Sequence, residues 1–257
     1  MPMRPIITLI SDWRLRDPYV AMFKGALLSE IPDANLLDIT HYVDVFNLSQ
    51  TAFLMRQSYR SFPEGSIHLL LTNASATASF SPVLLAHDGH IFIGEDNGIF
   101  HLMFGGETAL AGRKYSSEDG LDPLQQMVRL VKAVVKGSVD AYTQPYDQFE
   151  RKIASAAIHI PIQKSIEGEI IYIDANCNAI TNIPVDMFVK AVGNNPFTAE
   201  IQSKNTWKIS KFYDKTTPDK DMCFTINSLG CIEITMYQGR VAALADLQVG
   251  DRVEIQY

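Results

Sequence analysis

Asp12 and Asp38 are the residues whose type and position could first do chemistry. Each falls at or just past the end of an apolar run that reads as a β-strand, residues 6–10 and 36–39. In open α/β sheets, ligands bind outside the carboxyl ends of the strands. An ionised carboxylate there is an acceptor on both oxygens and can take the two hydroxyls of a ribose diol. It can equally cap a turn, the commoner use of an aspartate. Asp17 carries the same pair of readings, because Asp17-Pro18 offers an N-cap followed by proline at the first helical position.

Other chemistries lack their residues. Neither GxGxxG nor GxxxxGK[ST] occurs, so the usual phosphate-cradling loops are missing. The six histidines, at 41, 68, 87, 90, 101 and 159, form no HxxxH or HExxH pair, and no metal or cofactor is expected. His87 and His90 flank a turn and are expected to face solvent. Three cysteines, Cys177, Cys223 and Cys231, show no CxxC spacing and read as reduced, mostly buried thiols. With no GxSxG elbow and no histidine beside a cysteine, nothing points to covalent catalysis.

The elements that must position these residues follow from the hydrophobic pattern. Residues 6–10, 36–39 and 67–71 read as strands, with helices over 18–28 and 48–62 between them. In the second helix Leu48, Ala52, Met55 and Tyr59 share a face. Residues 83–86 and 91–94 flank Asp88-Gly89, which suits a tight hairpin because both central residues tolerate positive φ. Asp122-Pro123 opens a helix with Leu124, Met127, Leu130, Val131 and Val134 on one stripe, closed by Gly137. From Gly168 the pattern changes to short alternating runs, such as 169–173, 231–235 and 252–255. The expected architecture is an α/β domain with a mixed, mainly parallel sheet over 1–150, a linker over 151–166, and a small all-β, barrel-like domain over 167–257.

A net charge of −7 without a Lys/Arg cluster argues against nucleic acid as partner. No apolar run reaches the roughly 18–20 residues that span a bilayer. Residues 1–5 lack the start of a signal peptide, so a cytoplasmic protein with no membrane partner is expected.

Taken in order, several motifs resemble one family. The run Ile7-Thr8-Leu9-Ile10-Ser11-Asp12, then Asp17-Pro18-Tyr19-Val20 and Lys24-Gly25, is similar to the opening motif of the S-adenosylmethionine hydroxide adenosyltransferases, which also include the fluorinase and chlorinase. Asp38-Ile39-Thr40-His41, Gly65-Ser66-Ile67-His68 and Asp96-Asn97-Gly98 follow in the family's order. Further on, residues 174–178, Thr181-Asn182-Ile183-Pro184, Asn227-Ser228-Leu229-Gly230 and Ile232-Glu233-Ile234 resemble its closing motifs. The resemblance implies hydrolysis of S-adenosylmethionine to adenosine and methionine. It also implies a homotrimer whose ligand lies between one subunit's first domain and its neighbour's second. By position, Asp12 would hold the ribose hydroxyls, Asp17, Asp174 and Ser228 would bind the methionine amine and carboxylate, and Asn178 would bond the adenine edge. Phe46 falls where the family often has an aromatic against the ligand; a core aromatic is the alternative.

The water-handling positions depart from the family. Its Asp-Pro-Gly-Val-Gly segment becomes Asn73-Ala74-Ser75-Ala76-Thr77, its arginine falls at or beside Phe80, and its histidine aligns with Asp119. Three readings stay open. In the first, Asp119 is the base of a rewired hydrolase; Asn73, the other catalytic candidate, is an amide that cannot act as a base. Alternatively a halide replaces water, held by donors such as Ser75, Thr77 and Ser79. In the third reading the chain binds S-adenosylmethionine or adenosine without turning it over.

Overall fold

The computed structural model describes residues 4–74, 80–105, 109–116, 120–228 and 230–257. The chain divides into two compact units, residues 1–154 and 155–257.

The first unit runs β1 (Ile6–Ser11), α1 (Tyr19–Glu30), β2 (Asn35–Thr40), α2 (Leu48–Ser58), β3 (Ile67–Leu71), β4 (Pro82–His87), β5 (His90–Glu95), α3 (Ile99–Phe104), β6 (Gly112–Tyr115), α4 (Pro123–Lys136) and β7 (Thr143–Tyr146). Its mixed sheet has the order β2-β1-β3-β5-β4-β6-β7. The first four of these strands are mutually parallel, and β4, β6 and β7 add antiparallel pairing at the far side. Side chains alternate across the sheet, so each strand feeds two cores. Ile7, Leu9, Leu69 and Leu71 pack with Phe23 and Leu27 of α1 and Leu130 and Val131 of α4. Ile10 and Leu70 pack on the opposite face with Leu48, Ala52 and Met55 of α2 and Phe100 of α3. Burial of each such side chain contributes about 1.5–3 kcal/mol, which is why the strands read as continuous apolar runs.

Local signals explain the element ends. Asp88 and Gly89 turn the β4–β5 hairpin with φ of 51° and 76°. Asp122 caps α4 in a reciprocal capping box with Gln125, and Gly137 closes it at φ 65°. The expected Asp17 cap does not form: Pro18 itself occupies the N-cap of α1, and no side chain bonds the first turn. His90 is also corrected, being only 4% exposed. It starts β5 on the face beneath Tyr59, where its Nδ1 lies 3.1 Å from His68 Nε2.

The second unit runs β8 (Ile158–Ile160), β9 (Ser165–Ile173), β10 (Ala179–Pro184), α5 (Val185–Val192), β11 (Thr198–Gln202), β12 (Thr206–Ile209), β13 (Met222–Ile226), β14 (Cys231–Met236), α6 (Val241–Ala245) and β15 (Arg252–Gln256). Thus part of the stretch read as a linker is strand, because β8 pairs with β9. The antiparallel order is β12-β11-β15-β9-β10-β14-β13. Just after β12, Phe212 bridges to Phe224 of β13, so the two ends of the sheet approach and the barrel nearly closes. Ile166, Ile183, Ile201, Phe224, Ile234 and Val253 fill its interior.

Candidate functional site

The connection from β1 runs to β2 on one side, whereas the chain leaving β3 proceeds to β4 and β5 on the other. The crevice between the carboxyl ends of β1 and β3 is therefore the topological switch point of the sheet. Asp12 stands there, half-buried, one residue past β1. Its Oδ2 accepts the backbone N–H of Phe46 at 3.0 Å and that of Asn73 at 3.1 Å. Both donor residues adopt left-handed backbone conformations, φ 64° at Phe46 and 51° at Asn73. Such a conformation costs a non-glycine residue about 1–2 kcal/mol, and such outliers gather at ligand sites. The two N–H groups fix the carboxylate, and no described residue bonds its Oδ1.

The loops that deliver these donors are themselves held. Asn47 caps α2 by accepting the Gln50 N–H at 2.9 Å, and Gln50 Oε1 accepts the Asp44 N–H at 2.7 Å. That locks residues 44–47 around Phe46, whose side chain is 69% exposed. The core reading of Phe46 is thereby excluded. Behind Asn73, Thr51 donates to Thr72 at 2.8 Å and Asn97 Nδ2 donates to the Thr72 carbonyl at 3.4 Å.

Asp38 lies within β2 rather than past its end, and it is already paired. Lys24 Nζ donates to its Oδ2 at 2.6 Å, and His41 Nε2 stands 3.1 Å from its Oδ1. Burial pushes its carboxyl up, but Lys24 and His41 outweigh that and hold it below the usual range. Asp38 is spent on structure, which leaves Asp12 as the carboxylate of the crevice. Asp17 is exposed and has no hydrogen-bond partner among the described residues. Asp119 lies outside the described residues, as do Ser75, Thr77 and Ser79. Phe80 is 5% exposed and packs in the core, so its position offers no cation.

In the second unit Asp174 and Asn178 close the β9–β10 turn. Asp174 Oδ1 accepts the Asn178 N–H at 2.8 Å and its Oδ2 accepts from Asn178 Nδ2 at 3.2 Å. Asn178 Oδ1 in turn accepts the Thr235 hydroxyl at 2.9 Å. A cavity of about 830 Å³ opens beside this turn, its lining including Asn178, Thr235, Tyr213, Tyr237, Lys220 and Arg240. Ser228 is exposed, in the turn between β13 and β14. Glu233 of β14 enters the sequence reading only within the Ile232-Glu233-Ile234 motif, with no role of its own. Burial and the neighbouring Asp174 carboxylate push its carboxyl above the usual range, against a lowering contact with Asn227. Strand alternation between Ile232 and Ile234 was the available signal, since it points residue 233 out of the barrel core.

Comparison with known proteins matches both units. The model for the S-adenosylmethionine hydroxide adenosyltransferase N-terminal domain fits residues 7–122, and that for the C-terminal domain fits residues 168–254. A protein named (R)-S-adenosyl-L-methionine hydrolase from Methanocaldococcus jannaschii is 25% identical over 278 residues, covering 98% of this chain and 96% of its own. A fluorinase from Nocardia brasiliensis is 36% identical over 86 residues, 33% of this chain and 29% of its own. A crystal structure of an uncharacterized conserved protein from Thermotoga maritima superposes with TM-score 0.85 at 18% identity, over 98% of this chain and all of that one. That likeness concerns the fold alone.

Proposed function

Because this chain belongs to the S-adenosylmethionine hydroxide adenosyltransferase family, we propose that it binds S-adenosylmethionine and hydrolyses it to adenosine and methionine. The observation that carries the reading is the Asp12 carboxylate, fixed by two backbone N–H groups at the switch point. It accepts the ribose hydroxyls, for which Oδ1 and the remaining lone pairs suffice. Phe46 presents its exposed ring to the ligand. Asp17, free of any cap role, binds the methionine amine and carboxylate together with Asp174 and Ser228 from the second unit. The cavity beside Asn178 has the volume of a small-molecule pocket and takes the adenine, with the remaining Asn178 Nδ2 proton toward the base. These copies of the two units belong to neighbouring subunits of a homotrimer, an assembly that sedimentation of the full chain tests.

The reaction breaks the C5′–S bond and forms a C5′–O bond. Methionine departs as a neutral thioether, so no general acid is needed. The attacking water gives up one proton, and Asp119 is the base assigned to take it, since a desolvated carboxylate can be raised toward neutrality. In-line placement of water and C5′ supplies most of the remaining acceleration.

A second reading has its own support: Asn73 cannot act as a base, and Phe80 is buried. On that reading the chain binds S-adenosylmethionine without turnover. Incubation with each sulfonium epimer, with and without chloride, followed by mass spectrometry separates the cases. Adenosine and methionine support hydrolysis, and their loss in Asp119→Asn supports the base. 5′-Chloroadenosine would instead identify a halide nucleophile. Binding with no product leaves the binder.

A further inference from the structure

Directly behind Asp12 runs a chain of polar side chains that the proposed reaction does not use. Lys24 Nζ meets Asp38 Oδ2 at 2.6 Å, Asp38 Oδ1 lies 3.1 Å from His41 Nε2, and His41 Nδ1 lies 2.7 Å from Ser11 Oγ. Ser11 Oγ then accepts the Trp13 N–H at 3.3 Å. His41 is 2% exposed and Ser11 fully buried, so Ser11 cannot meet a substrate despite its serine–histidine–aspartate company. The His41–Asp38 contact is at ion-pair distance but not aligned as a hydrogen bond.

One assignment of protons accounts for the Ser11 contacts and leaves His41 Nε2 facing Asp38 at ion-pair distance. With the ring proton on Nε2, facing the Asp38 carboxylate, Nδ1 must accept, so Ser11 donates to it. Ser11 Oγ is then left as acceptor for Trp13 N–H. The histidine backbone adds a second tie, because the Arg14 N–H donates to the His41 carbonyl at 2.8 Å. The Val43 N–H reaches the Ser11 carbonyl at 3.4 Å. The residues on both sides of Asp12 are thus bound to His41 or its neighbours. The loop beyond Val43 is the one that delivers the Phe46 N–H to Asp12.

We propose that His41 is the positioning residue for Asp12: it locks the end of β1 to the end of β2, and so sets the angle at which the carboxylate meets the ribose hydroxyls. Asp38 and Lys24 hold the His41 ring in place from the outer side. This role rests on the reading of Asp12 as the ribose partner, and the test separates the two.

The full chain is titrated calorimetrically with adenosine and with 2′,3′-dideoxyadenosine, which lacks both hydroxyls. The native chain is expected to prefer adenosine by about tenfold or more, corresponding to about 1.4 kcal/mol. In His41→Ala that preference falls to within about twofold, while affinity for the dideoxy ligand stays within about twofold of native. Equal weakening of both ligands would mean a general structural role and overturn the proposal, as would an unchanged preference. If the native chain does not distinguish the ligands, the ribose reading of Asp12 itself fails. Lys24→Met, which leaves the histidine in place, carries the same comparison should His41→Ala not fold, with a partial loss of preference expected and an unchanged preference contradicting the relay.

Discussion

Burying an imidazole favours its neutral form, because a desolvated cation loses water that only a strong partner replaces. His68 is in that position: it is fully buried, accepts or donates to Thr8 Oγ1 at 2.7 Å, stacks on Phe92 and faces His90. Burial first, and then the nearby His90, lower its pKa from 6.5 to about 4. A depressed folded-state pKa means that the unfolded chain takes up the proton first. Stability is therefore complete above about pH 6.5 and falls as the pH drops toward 4, by roughly 3 kcal/mol over that window. Urea midpoints measured from pH 7 to 4.5 should decline along that slope. In His68→Phe the slope should flatten, although Thr8 and His90 lose a partner and the variant is less stable at pH 7. A native profile with no decline would contradict the assignment. At this scale the sequence placed Asp12 at a strand end, and it does stand one residue past β1. The sequence could not reveal the pairing of Ser11 with His41 or His68 with His90, since contacts 30 and 22 residues apart arise only when strands align. Asp38 looked like a second loop acid only because β2 extends past it to Thr40 as a partly exposed edge strand, which tolerates a charged residue.

Elements whose signals are local were legible, and those made by their surroundings were not. β3 matched its apolar run at both ends, and α4 carried cap, proline, stripe and terminal glycine together. The capping box gives a direct check: Asp122→Ala should cost about 1 kcal/mol, read as a lower urea midpoint with unchanged slope. No change would mean that α4 is held by the core packing of its own Leu130 and Val131 alone. β6 and β7 span four residues each, and β7 contains Pro145, which an edge strand accepts because its missing N–H is not needed there. α3 has six residues and exists by packing Phe100 and Met103 against α2. No window so short shows a helical period.

The whole molecule combines a parallel half-sheet that creates a switch-point crevice with a barrel that carries its own polar turn and cavity. No described helix is long and apolar enough to cross a membrane. What the ordered motifs implied about family and fold agrees with the domain matches over residues 7–122 and 168–254. The altered positions at Asn73 and Phe80 bear on turnover, whereas the Asp12 crevice bears on binding, so binding is the claim on which both functional readings depend. Calorimetric titration of the full chain with S-adenosylmethionine, beside Asp12→Ala, tests it most directly. The native chain should bind, and the variant, with its circular dichroism unchanged, should bind at least tenfold more weakly, because a hydrogen bond to a charged acceptor contributes about 1.5–3 kcal/mol. Equal affinity in the folded variant, or no binding by the native chain, would contradict the account.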